Sequence, residues 1–183
     1  MQLSDRSTQN RVALYETFKN KIMKDILEKL STYNIFNYLL PGILFIIIAR
    51  DFAGYNLIQN DVVLGVFLYY FIGMVISGFG SLVIEPFLKK ISFVKFADYK
   101  NFITASKKDE KIELLSEINN TYRTFASLFV ILILLNLYSI FFGNSKIPSA
   151  PDMYIIVTLL LIMFLFAYRK QTNYITKRIE ANI

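Results

Sequence analysis

Four carboxylates in the middle of the chain come nearest, by type and spacing, to residues that could do chemistry. Neighbouring carboxylates can act as a general acid and a general base, or bind a divalent cation. Lysines alternate with these four acids, however, and the spacing matches no metal-ligand motif. The pattern is typical of a solvated charged surface, so we expect no catalytic, cofactor-binding or metal-binding residue. The four acids are Asp98, Asp109, Glu110 and Glu113.

Histidine and cysteine do not occur among the 183 residues. Zinc and iron–sulfur sites built from these residues are therefore excluded, as are a cysteine nucleophile and a histidine general base. A nuclease motif that ends in histidine is excluded for the same reason. The sequence indicates a protein that is not an enzyme.

Hydrophobic residues make up 55% of the chain, and the formal net charge is +6. A soluble domain of this length could not bury so much apolar surface in one core, so the surplus is expected to face a lipid bilayer. A basic balance can indicate nucleic-acid binding, but in a membrane protein it more often reflects orientation in the bilayer. We therefore do not expect nucleic acid as a partner.

The longest uncharged run, 62–84, predicts a transmembrane helix that ends at Glu85 and Pro86. It would span about 34 Å, enough to cross a hydrocarbon core of about 30 Å. Small residues recur four or eight positions apart in this run and share one helix face, so another helix backbone could approach closely. We predict helix packing on that face. Its residues are Gly65, Gly73, Ser77 and Ser81.

Three further apolar runs predict transmembrane helices that begin near Asn34, Asp109 and Pro151. The first contains Pro41, which lacks a backbone N–H, so a kink is expected there. The second continues for about 50 Å, so it would cross the membrane and extend beyond it by about 20 Å. Deep in this second run lies Asn136, which we predict to pack between helices by hydrogen bonding across them.

The predicted fold is an all-α membrane protein with four transmembrane helices and amphipathic cytoplasmic helices. The third transmembrane helix is predicted to extend into the cytoplasm. The predicted segments are an N-terminal amphipathic cytoplasmic helix (1–32), a first transmembrane hairpin (33–85), a cytoplasmic loop and helix (86–123), a second transmembrane hairpin (124–168) and a cytoplasmic tail (169–183).

The distribution of lysine and arginine predicts the orientation of these segments. Of the 20 basic residues, only Arg50 and Lys146 lie in the two short loops, and the other 18 lie in the N-terminal segment, the long loop and the tail. Basic residues concentrate on the cytoplasmic side of membrane proteins. Both termini and the long loop are therefore predicted to be cytoplasmic.

An apolar stripe on the extension of the third transmembrane helix predicts contact with a partner. Its residues are Ile112, Leu115, Ile118 and Tyr122, spaced three or four apart. Such a stripe requires a second helix to cover it. The candidates are the amphipathic segment 12–30 of the same chain and a cytosolic protein partner.

Three strings carry a resemblance to known proteins: LSTYNIFNYLLPG (30–42), FLYYFIGMVISGFGSLVIEP (67–86) and ITASKKDEKIELLSEINNTYR (103–123). They resemble a family of small bacterial four-span membrane proteins of undetermined function, some of which accompany phage-defence genes. The chain is also similar in outline to the membrane subunit of the Kiwa system and to the four-span accessory of type VI-B CRISPR loci. The resemblance implies an accessory, sensor or effector of antiviral defence in the bacterial inner membrane, and it supplies no catalytic residues.

We therefore expect an oligomeric inner-membrane accessory module, an anchor or sensor, that binds a cytosolic partner in antiviral defence. A homo-oligomer is expected because the small-residue face and the amphipathic segments present more packing surface than four short spans can bury. The first alternative is a pore-forming or membrane-disrupting effector, and the second is a small transporter. Coupled transport normally requires an ionisable residue inside the bilayer, and none of the four apolar runs contains one.

Overall fold

The computed structural model describes residues 32–142 and 151–183, together with Thr17. The predicted amphipathic helix at 12–30 and most of the loop before Pro151 lie outside the described residues. The described helices are α1 (Thr32–Ala53), α2 (Val62–Lys90), α3 (Tyr99–Ser106), α4 (Lys111–Phe142) and α5 (Pro151–Glu180).

Four of these helices, α1, α2, α4 and α5, are long and apolar enough to cross a membrane. Over the described residues, the prediction of an all-helical fold with four such helices is confirmed. Two helix ends follow directly from the local sequence. The carboxylate of Asp61 accepts a hydrogen bond from the backbone N–H of Leu64 at 2.9 Å and caps α2. Gly54 has a φ of 78° and ends α1, because glycine adopts this left-handed conformation at little cost.

Helices α1 and α2 each contain one π-helical turn shortly before a proline. The turn in α1 covers Ile35–Leu39 and precedes Pro41, and the turn in α2 covers Gly80–Ile84 and precedes Pro86. In an α-helix the proline ring collides with the carbonyl four residues earlier, and a wider turn relieves this collision. The helix expected to end before Pro86 therefore passes through the proline and continues to Lys90.

The backbones of α1 and α2 touch at two glycines. A Cβ atom at Gly42 would overlap the backbone carbonyl of Tyr69, and a Cβ atom at Gly73 would overlap the backbone carbonyl of Tyr38. Only glycine leaves room for such an approach. The helix face that contains Gly73 therefore packs within one chain, against α1.

Three groups of buried apolar side chains lie along the bundle. The largest joins all four long helices and comprises Phe45, Ile46, Ala49, Phe52, Ile76, Phe125, Leu128, Phe129, Leu132 and Val157. The second lies where α2 ends and comprises Ile84, Leu88, Val94 and Tyr168. The third holds α3, α4 and α5 together and comprises Ala105, Ile112, Ile175 and Ile179.

Helices α4 and α5 continue as a packed pair past their apolar segments. They contain 32 and 30 residues, which corresponds to about 48 Å and 45 Å against a hydrocarbon core of about 30 Å. The two extensions lie at the same end of the bundle, where the third apolar group joins them to α3. We call this end, residues 91–123 and 169–183, the head.

Candidate functional site

Three buried polar side chains form a hydrogen-bonded cluster between α1, α2 and α4. The amide nitrogen of Asn37 donates to the hydroxyl oxygen of Ser77 at 3.3 Å. The hydroxyl oxygen of Thr124 lies 2.9 Å from Asn37 Oδ1 and 3.1 Å from Ser77 Oγ. Hydrogen bonds between helices in an apolar environment contribute on the order of 1 kcal/mol each. The cluster therefore fixes the mutual register of three helices.

A charged cluster lies next to it, at the boundary with the head. The carboxylate of Glu85 accepts a hydrogen bond from Lys89 Nζ at 2.7 Å, from the guanidinium of Arg123, and from the hydroxyl of Tyr168 at 3.1 Å. The Glu85 and Arg123 side chains are only 17% and 13% exposed. The cluster therefore joins α2, α4 and α5, and removing one partner would leave an uncompensated buried charge, which typically costs about 3–5 kcal/mol.

These two clusters leave few polar atoms free for an ion or a reactant. Among the described residues, Arg123 Nε is the one buried side-chain nitrogen or oxygen that has no hydrogen-bond partner. A conducting pathway requires polar groups that replace the hydration shell of the moving ion. The polar groups of these clusters bind one another instead, so within one chain they serve helix packing.

Asn136 joins three helices at the other end of the bundle. Its side-chain nitrogen donates to the backbone carbonyl of Phe52 in α1, and the hydroxyl of Tyr154 in α5 donates to its Oδ1 at 2.5 Å. Asn136 is almost completely buried. The hydrogen bonds satisfy a polar group that would otherwise be costly in an apolar core.

The two serines of the predicted packing face divide between the interior and the surface. Ser77 belongs to the buried cluster, whereas Ser81 is exposed and its hydroxyl donates to the carbonyl of Gly78 at 3.0 Å. Each step of four residues advances a helix by about 40° more than one turn, so eight residues after Gly73 the side chain has rotated by about 80°. Ser81 therefore leaves the face on which Gly73 lies.

The predicted partner stripe on α4 also divides. Ile112 is fully buried against Ile175 and Ile179 of α5, and Leu115 packs beside that group. Ile118, by contrast, is 38% exposed, and Tyr122 is half-buried. Ile112 therefore stabilises the head, and an external partner could reach only the later part of the stripe.

The accessible part of the stripe borders a groove of about 320 Å³ between the start of α1 and the head portion of α4. The surface of the groove is mostly apolar, and its residues Phe36 and Leu114 are 51% and 57% exposed. Grooves of this kind accept the apolar face of an amphipathic helix. The lining residues are Thr32, Tyr33, Phe36, Leu114, Glu117, Ile118, Thr121 and Tyr122.

A second cavity, of about 300 Å³, lies inside the head between α3, α4 and α5. Aromatic side chains of Phe96, Tyr99 and Phe102 form one wall. On another wall the side chains of Asn119 and Thr172 hydrogen-bond to each other at 3.1 Å. The volume is at the lower limit of small-molecule sites. The cavity has the mixed lining of a binding cavity, without a nucleophile aligned with a base.

The four acids singled out in the sequence do not converge. Asp98 caps α3 by accepting a hydrogen bond from the backbone N–H of Lys100 at 2.8 Å. Asp109 accepts a hydrogen bond from Arg178 Nε at 2.5 Å, and this bond lowers the pKa of the Asp109 carboxyl. Over residues 32–142 and 151–183, no three side chains of metal-binding type come together.

Sequence reasoning missed several members of the polar clusters. Asn37 and Thr124 lie at the ends of apolar runs, where a polar residue is equally compatible with the membrane surface. Glu85 and Arg123 are 38 residues apart in the chain, so nothing local indicates their pairing. The available signal was the occurrence of opposite charges at the same predicted depth on α2 and α4.

The fold and these clusters define a class: over residues 32–142 and 151–183 the protein is all-helical, and four of its helices are long and apolar enough to cross a membrane. Comparison of the chain with protein-family models, with curated proteins and with solved structures gave no match.

Proposed function

We propose that this chain is an inner-membrane accessory module, an anchor or sensor, whose head binds a cytosolic protein partner. The observation that carries the proposal is the joint continuation of α4 and α5 past their apolar segments into a packed head. The extensions are held by contacts far apart in the chain, including Asn119 with Thr172 and Asp109 with Arg178. A rigid platform of this kind favours recognition over conduction.

The groove beside α4 is the proposed contact surface. Leu114 and Ile118 lie in the head portion of α4 and remain exposed, which is costly unless a partner covers them. The basic residues of the head support a cytoplasmic location for it under the positive-inside rule. We propose that the apolar face of a helix from the partner occupies this groove.

Co-purification of partner proteins with the tagged full-length chain tests this contact. Leu114→Asp combined with Ile118→Asp places two charges in the groove without touching the buried group around Ile112, and we expect at least tenfold less partner to be recovered. Ile103→Asp, which changes a 36% exposed residue on α3 outside the groove, is the matched control and should leave recovery unchanged. Undiminished recovery with the double variant would overturn the proposed contact.

The module is further proposed to be a homo-oligomer that takes part in bacterial antiviral defence. The support for oligomerisation is the apolar surface of the head outside the groove, where Ile91 and Tyr99 are exposed, and the support for defence is the sequence resemblance. Light scattering in detergent would give the subunit number, and a mass of one chain would refute the oligomer. Phage plaque counts on cells with and without the gene, together with its neighbouring genes, test the defence role. Leakage of dye from liposomes that contain the purified protein would support the pore alternative instead.

A further inference from the structure

One face of α5 is solvent-exposed along the whole helix, and this face is apolar in the first part of the helix and basic in the last part. Its side chains recur three or four positions apart along the whole helix and are solvent-exposed, while Val157, Tyr168 and Thr172 on the opposite face are buried. The change falls directly after the last apolar turn. The exposed face comprises Ile155, Leu159, Ile162 and Phe166, followed by Lys170, Asn173 and Lys177.

A groove of about 440 Å³ lies at this change. The guanidinium of Arg169 is held over the ring of Phe93, 5.0 Å from its centroid, which fixes its position beside the groove. The hydroxyl of Tyr174 accepts a hydrogen bond from Arg178 at 3.4 Å, so its own hydrogen is available to donate. The lining residues are Phe166, Arg169, Lys170, Asn173, Tyr174 and Lys177.

The positive charge of this groove is not neutralised by neighbouring acids. Arg169, Lys170 and Lys177 form no ion pair with any residue of the described ranges. Arg178, which lies between them and the core of the head, is instead paired with Asp109. One carboxylate, Glu180, follows on the same face one turn beyond Lys177. Three cations and two neutral hydrogen-bonding side chains thus surround a site suited to an anion.

We propose that this groove binds the phosphate of an anionic phospholipid, with the lipid chains lying on Phe166 and Ile162. A soluble phosphate would be attracted by the same cations, but it would leave the adjoining apolar stripe uncovered. Basic pockets where transmembrane helices leave the hydrocarbon region are suited to anionic headgroups. The proposal rests on membrane insertion of α5, as proposed above, and it is independent of any cytosolic partner.

Native mass spectrometry of the detergent-purified full-length protein tests the site. The probes are dioleoyl phosphatidylglycerol and, as the neutral lipid, dioleoyl phosphatidylcholine. We expect the wild type to retain phosphatidylglycerol in clear preference, and Lys170→Gln with Lys177→Gln to weaken this retention roughly tenfold, because each basic residue near an anionic surface contributes on the order of a few-fold in affinity. Lys95→Gln with Lys100→Gln removes the same charge from exposed positions outside the groove and should have no effect.

Equal retention of the two lipids, or equal losses in the two double variants, would overturn the proposal. Displacement of phosphatidylglycerol by an equal concentration of glycerol 3-phosphate would assign the groove to a soluble anion and would also overturn it. The Leu114→Asp and Ile118→Asp protein should still retain the lipid. The two proposals can therefore fail separately. Lipid binding can be absent while partner binding persists, and partner binding can be absent while lipid binding persists.

Discussion

At the scale of single residues, the lack of a side chain at two glycines decides how α1 packs on α2. Gly42 and Gly73 face backbone carbonyls of the opposite helix, so a side chain of any size at either position meets backbone that cannot rotate away. Gly78 lies in the same helix as Gly73, yet a Cβ atom there would meet nothing within 4 Å. Gly73 and Gly78 therefore offer a matched pair of positions for substitution.

Gly73→Ala is expected to destabilise the bundle by about 1–3 kcal/mol, the usual cost of overpacking a close contact. Gly78→Ala should be neutral or stabilise by up to about 1 kcal/mol, because alanine favours helix more than glycine does. Thermal unfolding in detergent, followed by circular dichroism, measures both. Equal melting temperatures for the two variants would contradict the close approach of α1 and α2.

The contact between Asp109 and Arg178 predicts how the stability of the head depends on pH. Hydrogen bonding to Arg178 lowers the pKa of the Asp109 carboxyl in the folded protein. The ionised carboxylate therefore stabilises the fold above the unfolded pKa of about 3.9, and this stabilisation is lost as the pH falls through the lower folded pKa. The melting temperature of the wild type should exceed that of Asp109→Asn above about pH 5, and the difference should shrink below about pH 4.

Melting curves from pH 7 to pH 2.5 check this prediction. Arg178→Gln removes the partner instead of the acid. In the Arg178→Gln background, adding Asp109→Asn should therefore cause no pH-dependent difference in melting temperature. A difference between wild type and Asp109→Asn that stays constant over the whole range would show that the contact does not depend on the charge of Asp109.

At the scale of helices, polar clusters set the register of an otherwise apolar bundle. Ser77→Leu removes a hydroxyl that contacts Asn37 and Thr124 and adds volume where α1, α2 and α4 meet. We expect a loss of about 2–4 kcal/mol, or failure to fold. Ser81→Leu makes the same change one turn later on the exposed side of α2 and should be tolerated.

Measuring the subunit number of these two variants distinguishes a folding defect from an assembly defect. Size-exclusion chromatography should find Ser77→Leu aggregated or poorly expressed, because the residue packs inside one chain. A folded Ser77→Leu monomer would instead place this face between subunits. Loss of the folded protein with Ser81→Leu would show that α2 has a second packing face.

Apolar length and helix-ending residues were sufficient to predict the four long helices and the start of α2 at Val62, where the longest uncharged run begins. The sequence could not indicate where α2 ends, because Pro86 normally breaks a helix and only the π turn at Gly80–Ile84 accommodates it. Periodicity placed Ile112 and Ile118 on one stripe, but it could not tell which part α5 would cover. Pairings such as Glu85 with Arg123 depend on the tertiary arrangement alone.

At the scale of the whole molecule, the proposed orientation can be tested by cysteine labelling, because the chain contains no cysteine of its own. Any introduced cysteine is the single thiol of the protein. Asn60 and Lys100 are both exposed, the first in the short loop between α1 and α2 and the second in the head. Asn60→Cys should react with a membrane-impermeant maleimide on spheroplasts, and Lys100→Cys only after lysis. The reverse pattern would invert the orientation and place the head outside.

The π turns before Pro41 and Pro86 have a consequence for how the chain tolerates insertions and deletions. A π turn closes its hydrogen bond over five residues, as between Leu40 N–H and the carbonyl of Ile35, so it holds one residue more than an α-helical turn. Deleting one residue there, together with replacing the proline, would restore a regular helix with both flanking segments still facing their neighbours. The same deletion in the regular parts of α4 or α5 would rotate every following side chain by about 100°. Helices α1 and α2 thus each contain one position at which the chain length can change without loss of register.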